Sequence, residues 1–419
     1  MADAHSILKP HPWHNRLMST LSPRLMDDLH DLYRHLHAHP ELSMQEHETA
    51  DLIDQRMTTL GFRTVRCGGT GVVAVLENGT GPVVGFRADT DGLPVAEATA
   101  LPYASQAQGT LPDGTQVPVM HACGHDTHIT ASIGAATLLA ETRADWSGTA
   151  LFVFQPGEET AAGAATMLAD GLWDKAPRPE VMFAQHLSND LAGTIHLSTG
   201  SAMAMADAWE VLVRGRGGHG SRPEDSIDPI VLAAHMVVRL QSLVSREIAA
   251  QDAAVVTVGS FHAGLKENII PSEAVFTINV RSLDQGVRDY VLAGIRRVLS
   301  AEAMASGAPE PEIRELYVFP PVHNDPDETV RVMDVLTGVL GVDRVSGRPP
   351  QMGSEDFGAL PAAIDVPSVY WFFGGTPQEV IESDEPTPAN HSPLFAPVLE
   401  PTLTTAVVAA YEVMRSRLG

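Results

Sequence analysis

Three short apolar runs in this chain each end abruptly at acidic residues or at a histidine. Residues 83–86, 150–154 and 181–184 lead respectively into Asp89 and Asp91, into Glu158 and Glu159, and into His186. Runs of this length, rich in Val and Phe and without polar alternation, are typical of strands buried on both faces. In an open α/β sheet the ligand lies beyond the carboxyl ends of such strands. The sequence therefore predicts that these polar side chains meet at one edge of a sheet.

The N-terminal half of the chain also predicts the class of the sheet. Residues 22–60 have the pattern of amphipathic helix with a break at His39 and Pro40, and strands and helices then alternate to about residue 200. This alternation is typical of an α/β fold, a mostly parallel mixed sheet with helices on both faces. Because 419 residues exceed what one core usually holds, we expect two domains.

The order of the elements changes after residue 205. Trp209, Val211 and Val213 alternate with other residues as in a strand. Further helices are predicted at residues 228–247 and 284–305, and further strands at 253–261, 274–280 and 312–319. The resulting order, β-α-β-β-α-β, is that of a ferredoxin-like α+β sandwich. We therefore predict a discontinuous domain, residues 1–204 and 317–419, that carries an inserted, lid-like domain at residues 205–316.

Charge and cysteine content restrict the partners and the compartment. The chain has 27 Lys and Arg against 52 Asp and Glu, and its formal net charge of −25 argues against nucleic acid and anionic membranes as partners. Cys67 and Cys123 are its only cysteines, which predicts a reducing compartment without a disulfide framework. Residues 1–13 lack the apolar segment of a signal peptide, and no run reaches membrane-spanning length. We expect a cytoplasmic protein.

Residues 120–128 place one thiol, three imidazoles and one carboxylate close together in the sequence. Cys123 precedes His125 by two residues, and this spacing can present sulfur and nitrogen to one cation, such as zinc or another borderline metal. Taken by itself, the segment is equally compatible with a polar loop around a buried cysteine. Cys123 and His125 are therefore candidate metal ligands.

The adjacent acids Glu158 and Glu159 are predicted to have different roles. Neighbouring side chains of an extended segment point to opposite sides, so one acid would face a metal and the other a metal-bound water as general base. A solvated turn is the alternative, which the preceding buried run disfavours. Asp89 and Asp91 fit the same site, because an aspartate behind a ligand histidine orients it, although either could instead cap the following turn.

Several motifs follow one another along nearly the whole chain. They are residues 37–43 (HAHPELS), 87–94 (RADTDGLP), the cluster at 120–128, 155–159 (QPGEE), 217–220 (GGHG), 352–357 (MGSEDF) and 390–393 (NHSP). Together they resemble the M20 metallopeptidases, and within them the aminoacylase and hippurate hydrolase branch of N-acyl-L-amino acid amidohydrolases. Residues 41–49, Gly157 and residues 217–223 resemble bacterial members that cleave N-acylglutamine conjugates.

This resemblance implies two divalent metal ions per subunit. Their ligands would be Cys123, His125, Glu159, His186 and His391. Zinc is the chemical default for such a set, and manganese, cobalt or nickel can occupy the same ligands. His121 and His128 are expected to be structural or to support the ligands from behind.

The same resemblance implies roles in catalysis and in substrate binding. Glu158 would be the general base, with Asp91 supporting the site. His219 would stabilise the oxyanion, reaching into the site of a partner subunit. Asn279 and Arg281 would face the substrate, and Arg281 would bind its free carboxylate through two hydrogen bonds. The alternative for Arg281 is an ion pair on the surface. A homodimer formed through the inserted domain is also implied.

Some positions depart from the pattern of the family, namely Thr90, Gly92, Gly157, Arg222 and residues 187–190. These departures bear on substrate preference and leave the chemistry intact. We expect a metal-dependent amidohydrolase that cleaves the amide bond of small N-acyl-L-amino acids to give a carboxylic acid and a free amino acid. A dipeptidase or carboxypeptidase on the same scaffold is one alternative. A non-catalytic binding protein is another, although no expected ligand or base is missing.

Overall fold

The computed structural model of the protein describes residues 21–419. The prediction that residues 1–13 form no signal peptide lies outside this range. The described chain divides into two compact units: the first comprises the residues up to Gly200, His323–Pro349 and Asp356–Gly419, and the second comprises Ser201–Val322 and Pro350–Glu355. The limits predicted for the inserted domain, residues 205–316, stay a prediction.

Strands and helices follow one another along the described residues. The strands are β1 (Arg63–Arg66), β2 (Val72–Asn78), β3 (Val83–Asp89), β4 (Gln108–Thr110), β5 (Gln116–Pro118), β6 (Gly148–Gln155), β7 (Val181–Leu191), β8 (Ile195–Leu197), β9 (Gly200–Met203), β10 (Met205–Arg214), β11 (Gly218–His219), β12 (Ala254–Ala263), β13 (Ile269–Ile270), β14 (Glu273–Ser282), β15 (Glu312–Phe319), β16 (Val322–Asn324), β17 (Val345–Gly347) and β18 (Ser368–Thr376). The α-helices are α1 (Pro23–Ala38), α2 (His47–Thr59), α3 (His125–Glu141), α4 (Gly163–Ala169), α5 (Leu172–Lys175), α6 (Pro229–Glu247), α7 (Gln285–Ala305), α8 (Pro326–Leu340), α9 (Ala359–Ala362), α10 (Gln378–Ile381) and α11 (Leu399–Arg417). Short 3₁₀ turns occupy Arg143–Asp145, Glu158–Thr160 and Pro223–Asp225. Among residues 21–419, no helix combines the length and the apolar character needed to cross a membrane.

The main sheet of the first unit is mixed, with a parallel centre. Its strands lie in the order β1-β2-β6-β3-β7-β18-β8-β17. The neighbouring pairs β6–β3, β3–β7, β7–β18 and β8–β17 are parallel, and the other pairs are antiparallel. Strands β3, β6, β7 and β18 are buried over most of their length, as expected of strands in the middle of such a sheet. The predicted α/β class is confirmed.

Helix α3 is buried along most of its length and begins at the candidate site. Its own alanine, isoleucine, leucine and threonine side chains are buried on all sides of the helix, a pattern typical of a helix inside a protein. It packs against α11 and against β3 and β7. Gly134 permits the close approach of α11, because a Cβ at this position would lie 2.8 Å from Val407 Cγ2. Gly124 has a φ of +87°, a left-handed conformation that suits glycine, and it turns the chain from Cys123 into His125.

Apart from the two-residue strands β11 and β13, which pair with each other, the elements from β10 to β15 in the second unit have the predicted β-α-β-β-α-β order. Its antiparallel sheet is ordered β12-β14-β10-β15, and α6 and α7 pack together and against its strands. Along β14, Phe276, Ile278 and Val280 are buried in the core, whereas Asn279 and Arg281 are only partly buried. The period of two places these last two side chains together on the opposite face. The predicted ferredoxin-like arrangement is confirmed.

A buried arginine connects three segments of the first unit. Arg87 on β3 donates to Asp89 Oδ2 at 2.8 Å, to Gln155 Oε1 at 3.0 Å and to Asp356 Oδ1 at 3.3 Å. Asp356 Oδ2 also accepts the backbone amide of Ala164 at 3.0 Å. A buried charge is tolerated when it is paired and hydrogen-bonded. This network therefore fixes the ends of β3 and β6 relative to the segment that begins at Asp356.

Replacing Arg87 with methionine is expected to lower the free energy of unfolding by about 3–5 kcal/mol, because Asp89 and Asp356 stay buried without this cationic partner. Urea unfolding followed by circular dichroism measures the change. Arg34→Met is the matched control, since the ion pair of Arg34 with Asp31 is exposed and its loss should change stability by less than about 1 kcal/mol. A loss in Arg87→Met no larger than in the control would contradict the stabilising role of the network.

Candidate metal centre

Ligand atoms of Cys123, His125 and Glu159 lie within 4.8 Å of one another in the first unit. Cys123 precedes α3, His125 is the first residue of that helix, and Glu159 lies in the 3₁₀ turn that follows β6. His125 Nε2 is 3.9 Å from Glu159 Oε1. Both atoms are buried without a hydrogen bond, although buried polar atoms normally have a partner. A cation bound here would give both atoms a partner.

His186, in the second half of β7, directs a ring nitrogen towards the same thiol. Its Nδ1 is 2.7 Å from the carbonyl oxygen of Leu187, and because a carbonyl only accepts, Nδ1 is the nitrogen that carries the proton. Nε2 therefore presents a lone pair, and it lies 3.4 Å from Cys123 Sγ. Burial lowers the pKa of His186 to about 4, which keeps the ring neutral and able to bind a metal.

His391 approaches the cluster from the C-terminal part of the chain. Its Nε2 lies 3.3 Å from Glu159 Oε1, and its φ is +71°, an uncommon conformation for a residue other than glycine. The loop is held by two contacts: the amide of His391 donates to Ala122 O at 2.7 Å, and Asn390 Nδ2 donates to Cys123 O at 3.2 Å. The fold thus brings all five predicted ligands together.

Asp91 contacts two of these ligands at once. His125 Nδ1 lies 2.9 Å from Asp91 O and 3.2 Å from Asp91 Oδ1. Asp91 Oδ2 accepts the backbone amide of Glu159 at 3.1 Å and the hydroxyl of Ser43 at 2.6 Å. His125 Nδ1 is therefore the donor nitrogen, and Nε2 faces the cluster. A carboxylate in this position orients a ligand histidine and makes it more basic.

His128 lies beside the cluster but has no ring nitrogen to offer a metal. One of its nitrogens lies within 4.8 Å of ligand atoms of Asp89, His125 and His186. However, His128 Nδ1 is 2.5 Å from Asp89 Oδ1, and His128 Nε2 accepts the amide of Leu187 at 2.8 Å. Because the protein engages both nitrogens, His128 supports the cluster from behind.

The charges around the cluster favour a divalent cation. Burial raises the pKa of the Cys123 thiol well above its ordinary value, and the negative charge of Glu159 raises it further. Burial lowers the pKa of His125, but the charges of Asp89 and Asp91 outweigh burial and raise the pKa to about 10. Without a metal, the thiol and the imidazole both keep their protons near neutral pH. A divalent cation stabilises the thiolate and the neutral ring instead, and this donor set suits zinc or a similar borderline metal.

Glu158 and Glu159 do not lie on an extended segment, so this part of the sequence prediction is wrong. Gly157 has a φ of +58°, and Glu158–Thr160 form a 3₁₀ turn. Gly157 is the cause, because a left-handed residue soon after the strand turns the chain. Glu159, which is partly buried, joins the cluster, and the negative charge of the buried Glu158 also raises the pKa of the Cys123 thiol. Both acids therefore belong to one site.

The other predicted site residues, His219, Asn279 and Arg281, belong to the second unit. Arg281 Nε donates to Asn279 Oδ1 at 3.0 Å, and Arg281 Nη1 donates to Met352 O at 2.7 Å. His219 is exposed on β11, and its Nδ1 accepts the backbone amide of Ser221 at 3.1 Å. In the neutral ring the proton is therefore on Nε2, which can donate to a negatively charged oxygen.

Two residues near the cluster make contacts that the sequence did not predict. Asn390 Nδ2 donates to the carbonyl oxygens of Cys123 and Leu187. Glu46 Oε1 accepts the backbone amide of Gly157 at 2.9 Å. Both residues lie in recognised motifs, which is the only signal the sequence offers for them. Their partners are at least 111 positions away, so spacing along the chain cannot assign these contacts.

Metal binding near neutral pH should release protons from Cys123 and His125, so the apparent affinity for Zn²⁺ should rise with pH. Titration calorimetry of the metal-free protein, in buffers of different ionisation enthalpy, counts these protons. Cys123→Ala should release fewer protons and should weaken binding by more than the roughly 10–100-fold typical of losing a residue behind a ligand. Cys67→Ala, at the other buried cysteine, is the control and should change neither quantity. An unchanged proton count in Cys123→Ala would exclude thiolate ligation.

Known proteins of similar sequence identify the family. Residues 85–393 match peptidase family M20/M25/M40. The chain is 39% identical over 302 residues to an N-acetylcysteine deacetylase of Bacillus subtilis, and this match covers 70% of this chain and 75% of that protein. It is 36% identical over 344 residues to a hippurate hydrolase of Campylobacter jejuni, and the match covers 81% of this chain and 87% of that protein. It is 33% identical over 348 residues to thermostable carboxypeptidase 1 of Saccharolobus solfataricus, and the match covers 81% of this chain and 84% of that protein.

A solved structure has the same architecture. The chain is similar to a dinuclear metal-binding peptidase of the M20 family from Bacillus subtilis, with a TM-score of 0.76, a sequence identity of 30%, and 95% of this chain and 100% of that chain covered. The resemblance found in the motifs, including that to the aminoacylase and hippurate hydrolase branch, is thereby confirmed. This protein belongs to peptidase family M20/M25/M40 and is a hydrolase that acts on amide bonds.

Proposed function

We propose that this protein hydrolyses the amide bond of N-acyl-L-amino acids and releases a carboxylic acid and a free amino acid. The observation that supports this most directly is that Glu158, a buried acid, shares a 3₁₀ turn with Glu159 of the ligand cluster. Metal-assisted hydrolysis of an amide needs a polarising centre and a general base side by side. The relatives named N-acetylcysteine deacetylase and hippurate hydrolase favour N-acyl amino acids as the substrate class.

We propose two divalent metal ions per subunit, with zinc favoured over manganese, cobalt and nickel. Their ligands would be Cys123, His125, Glu159, His186 and His391. The solved M20 relative that binds two metals supports this number. Bound metal would polarise the substrate carbonyl and lower the pKa of a water molecule. The chain contributes fixed ligand directions, because Asp91 orients His125 and the carbonyl of Leu187 orients His186.

Glu158 is the proposed general base. It would take a proton from the attacking water and later give that proton to the amine nitrogen as the amide C–N bond breaks. The adjacent Glu159 is held at its backbone amide by Asp91. Because the two acids share one short turn, this hydrogen bond also restricts where the Glu158 carboxylate can lie.

For the second unit we propose roles in binding. His219 would donate from Nε2 to the oxyanion, and Arg281, oriented by Asn279, would bind the free carboxylate of the amino acid. We further propose that residues 205–316 form a lid domain through which the protein forms a homodimer. Residues 1–204 and 317–419 would then form the catalytic domain of a cytoplasmic enzyme.

A dipeptidase or carboxypeptidase activity is the second candidate, and the similarity to thermostable carboxypeptidase 1 favours it. An assay of amino-acid release separates the two candidates. The substrates are N-acetyl, N-benzoyl and N-decanoyl amino acids and dipeptides, and each is tested with chelator-treated protein and with Zn²⁺-reconstituted protein. We expect metal-dependent release from the acylated substrates and none from the dipeptides. Cleavage of dipeptides alone would favour the peptidase. Inactivity on every substrate, with metal bound, would favour a binding protein.

Glu158→Gln should lower kcat on the best acylated substrate by at least about 100-fold, because a carboxamide cannot accept the proton of the water. Metal content, measured by mass spectrometry of the purified protein, should stay at the wild-type value. Glu180→Gln is the matched control, since Glu180 is exposed before β7, and it should keep full activity. Retention of activity in Glu158→Gln would remove this residue as the base.

A further inference from the structure

Glu46 is a fully buried glutamate directly before α2. Its Oε1 accepts the backbone amides of Met44 at 2.8 Å and Gly157 at 2.9 Å. Its Oε2 accepts the hydroxyl of Thr70 at 2.5 Å. A buried carboxylate is costly to desolvate, and hydrogen bonds from three donors offset that cost. Of these contacts, the one with Gly157 leads to the candidate metal centre.

The peptide group of Gly157 determines where the following acids lie. Its carbonyl oxygen accepts the amides of Ala162 at 3.2 Å and Gly163 at 3.1 Å, which closes the turn from within. Its N–H points out of the turn, to Glu46. A Cβ on Gly157 would lie 2.5 Å from Met44 Sδ, so Met44 also packs closely against this residue. The start of the turn is therefore held against the segment that contains Met44 and Glu46.

We infer that Glu46 is a positioning residue for Glu158 and Glu159. The inference rests on the proposed function, because it concerns the acids that would move the proton and bind metal. Glu46 holds the turn at Gly157, before the two acids, and Asp91 holds it at the amide of Glu159. These two hydrogen bonds together fix the directions in which the carboxylates leave the turn. Misplacing a reacting group by about 1 Å can cost on the order of 100-fold in rate.

Three variants separate this role from simple space filling. Glu46→Met keeps the volume but removes both acceptors. Glu46→Gln keeps a carbonyl oxygen that can accept from Met44 and Gly157, and its amide can donate to the hydroxyl of Thr70. Thr70→Val removes the partner of Oε2 and leaves the contact with Gly157 intact. Only Glu46→Met should therefore release the turn.

The first measurement is hydrogen–deuterium exchange of the metal-free protein. The peptide covering residues 155–163 should exchange faster in Glu46→Met than in the wild type and should be unchanged in Glu46→Gln and Thr70→Val. A peptide covering β18 is the internal control and should be unchanged in all three. The second measurement is kcat at saturating Zn²⁺, which should fall roughly 10–100-fold in Glu46→Met with little change in KM. Glu46→Gln and Thr70→Val should keep wild-type kcat.

Unchanged exchange of the turn in Glu46→Met would overturn the inference. So would a loss of kcat in Glu46→Gln equal to that in Glu46→Met, because the charge and not the contact with Gly157 would then matter. Should Glu46→Met fail to fold, Glu46→Asp takes its place, because it keeps the charge but is one methylene too short to hold the same contact with Gly157. Faster exchange of the turn and a lower kcat in Glu46→Asp support the inference, and wild-type values of both overturn it. A wild-type protein that releases no amino acid from any acylated substrate contradicts the proposed function alone, since exchange is measured without turnover.

Discussion

The parallel register of β3, β6 and β7 is the constraint on which the candidate site depends. Asp89 on β3 pairs with Gln155 on β6, and Arg87 on β3 pairs with Ala184 on β7. Because these strands run in one direction, their carboxyl ends arrive at the same edge, and the segments that follow them meet there. The side chain of Arg87 adds a charged connection, since it bonds to Asp89 and Gln155 across this edge. A shift in register would separate the acidic turn from His186.

In an ordinary packed interior nearly all buried polar atoms have hydrogen-bond partners. The cluster differs, because some of its buried polar atoms have such partners and others do not. His125 and His186 each use Nδ1 for a hydrogen bond to the protein, whereas His128 uses both nitrogens. His125 Nε2 and Glu159 Oε1 are left buried without a hydrogen bond. Such an atom costs about 1–3 kcal/mol when nothing satisfies it. Two such atoms at one point, within reach of a thiol, are what a site able to hold a cation would show.

Periodicity predicted the parts of the fold in which burial leaves a regular pattern. The strand that carries His186 and the strand at Trp209 both lie where the apolar residues indicated. Burial on both faces leaves a continuous apolar run, and burial on one face leaves an alternation with a period of two. That signal stops where a strand ends, so the turn at Glu158 was mispredicted, and only Gly157 in the sequence marks it. The hydrogen bonds of Asn390 depend on the folded arrangement of distant segments. Spacing along the chain has no information about such contacts.

One departure from the family pattern lies on the strand of a proposed ligand. Ser188 and Asp190 extend β7 beyond His186, and side chains two residues apart on a strand point to the same side. Asp190 Oδ2 accepts from Ser188 Oγ at 2.7 Å and from Arg348 Nη1 at 2.9 Å. The Arg348 guanidinium lies 4.7 Å from the ring centre of Phe372, whose ring is in turn next to that of His186. A polar, charge-paired group of side chains therefore adjoins this histidine, within residues 187–190 that depart from the family pattern. It changes the surroundings of this proposed ligand and leaves the contacts of both His186 nitrogens, with Leu187 O and Cys123 Sγ, in place.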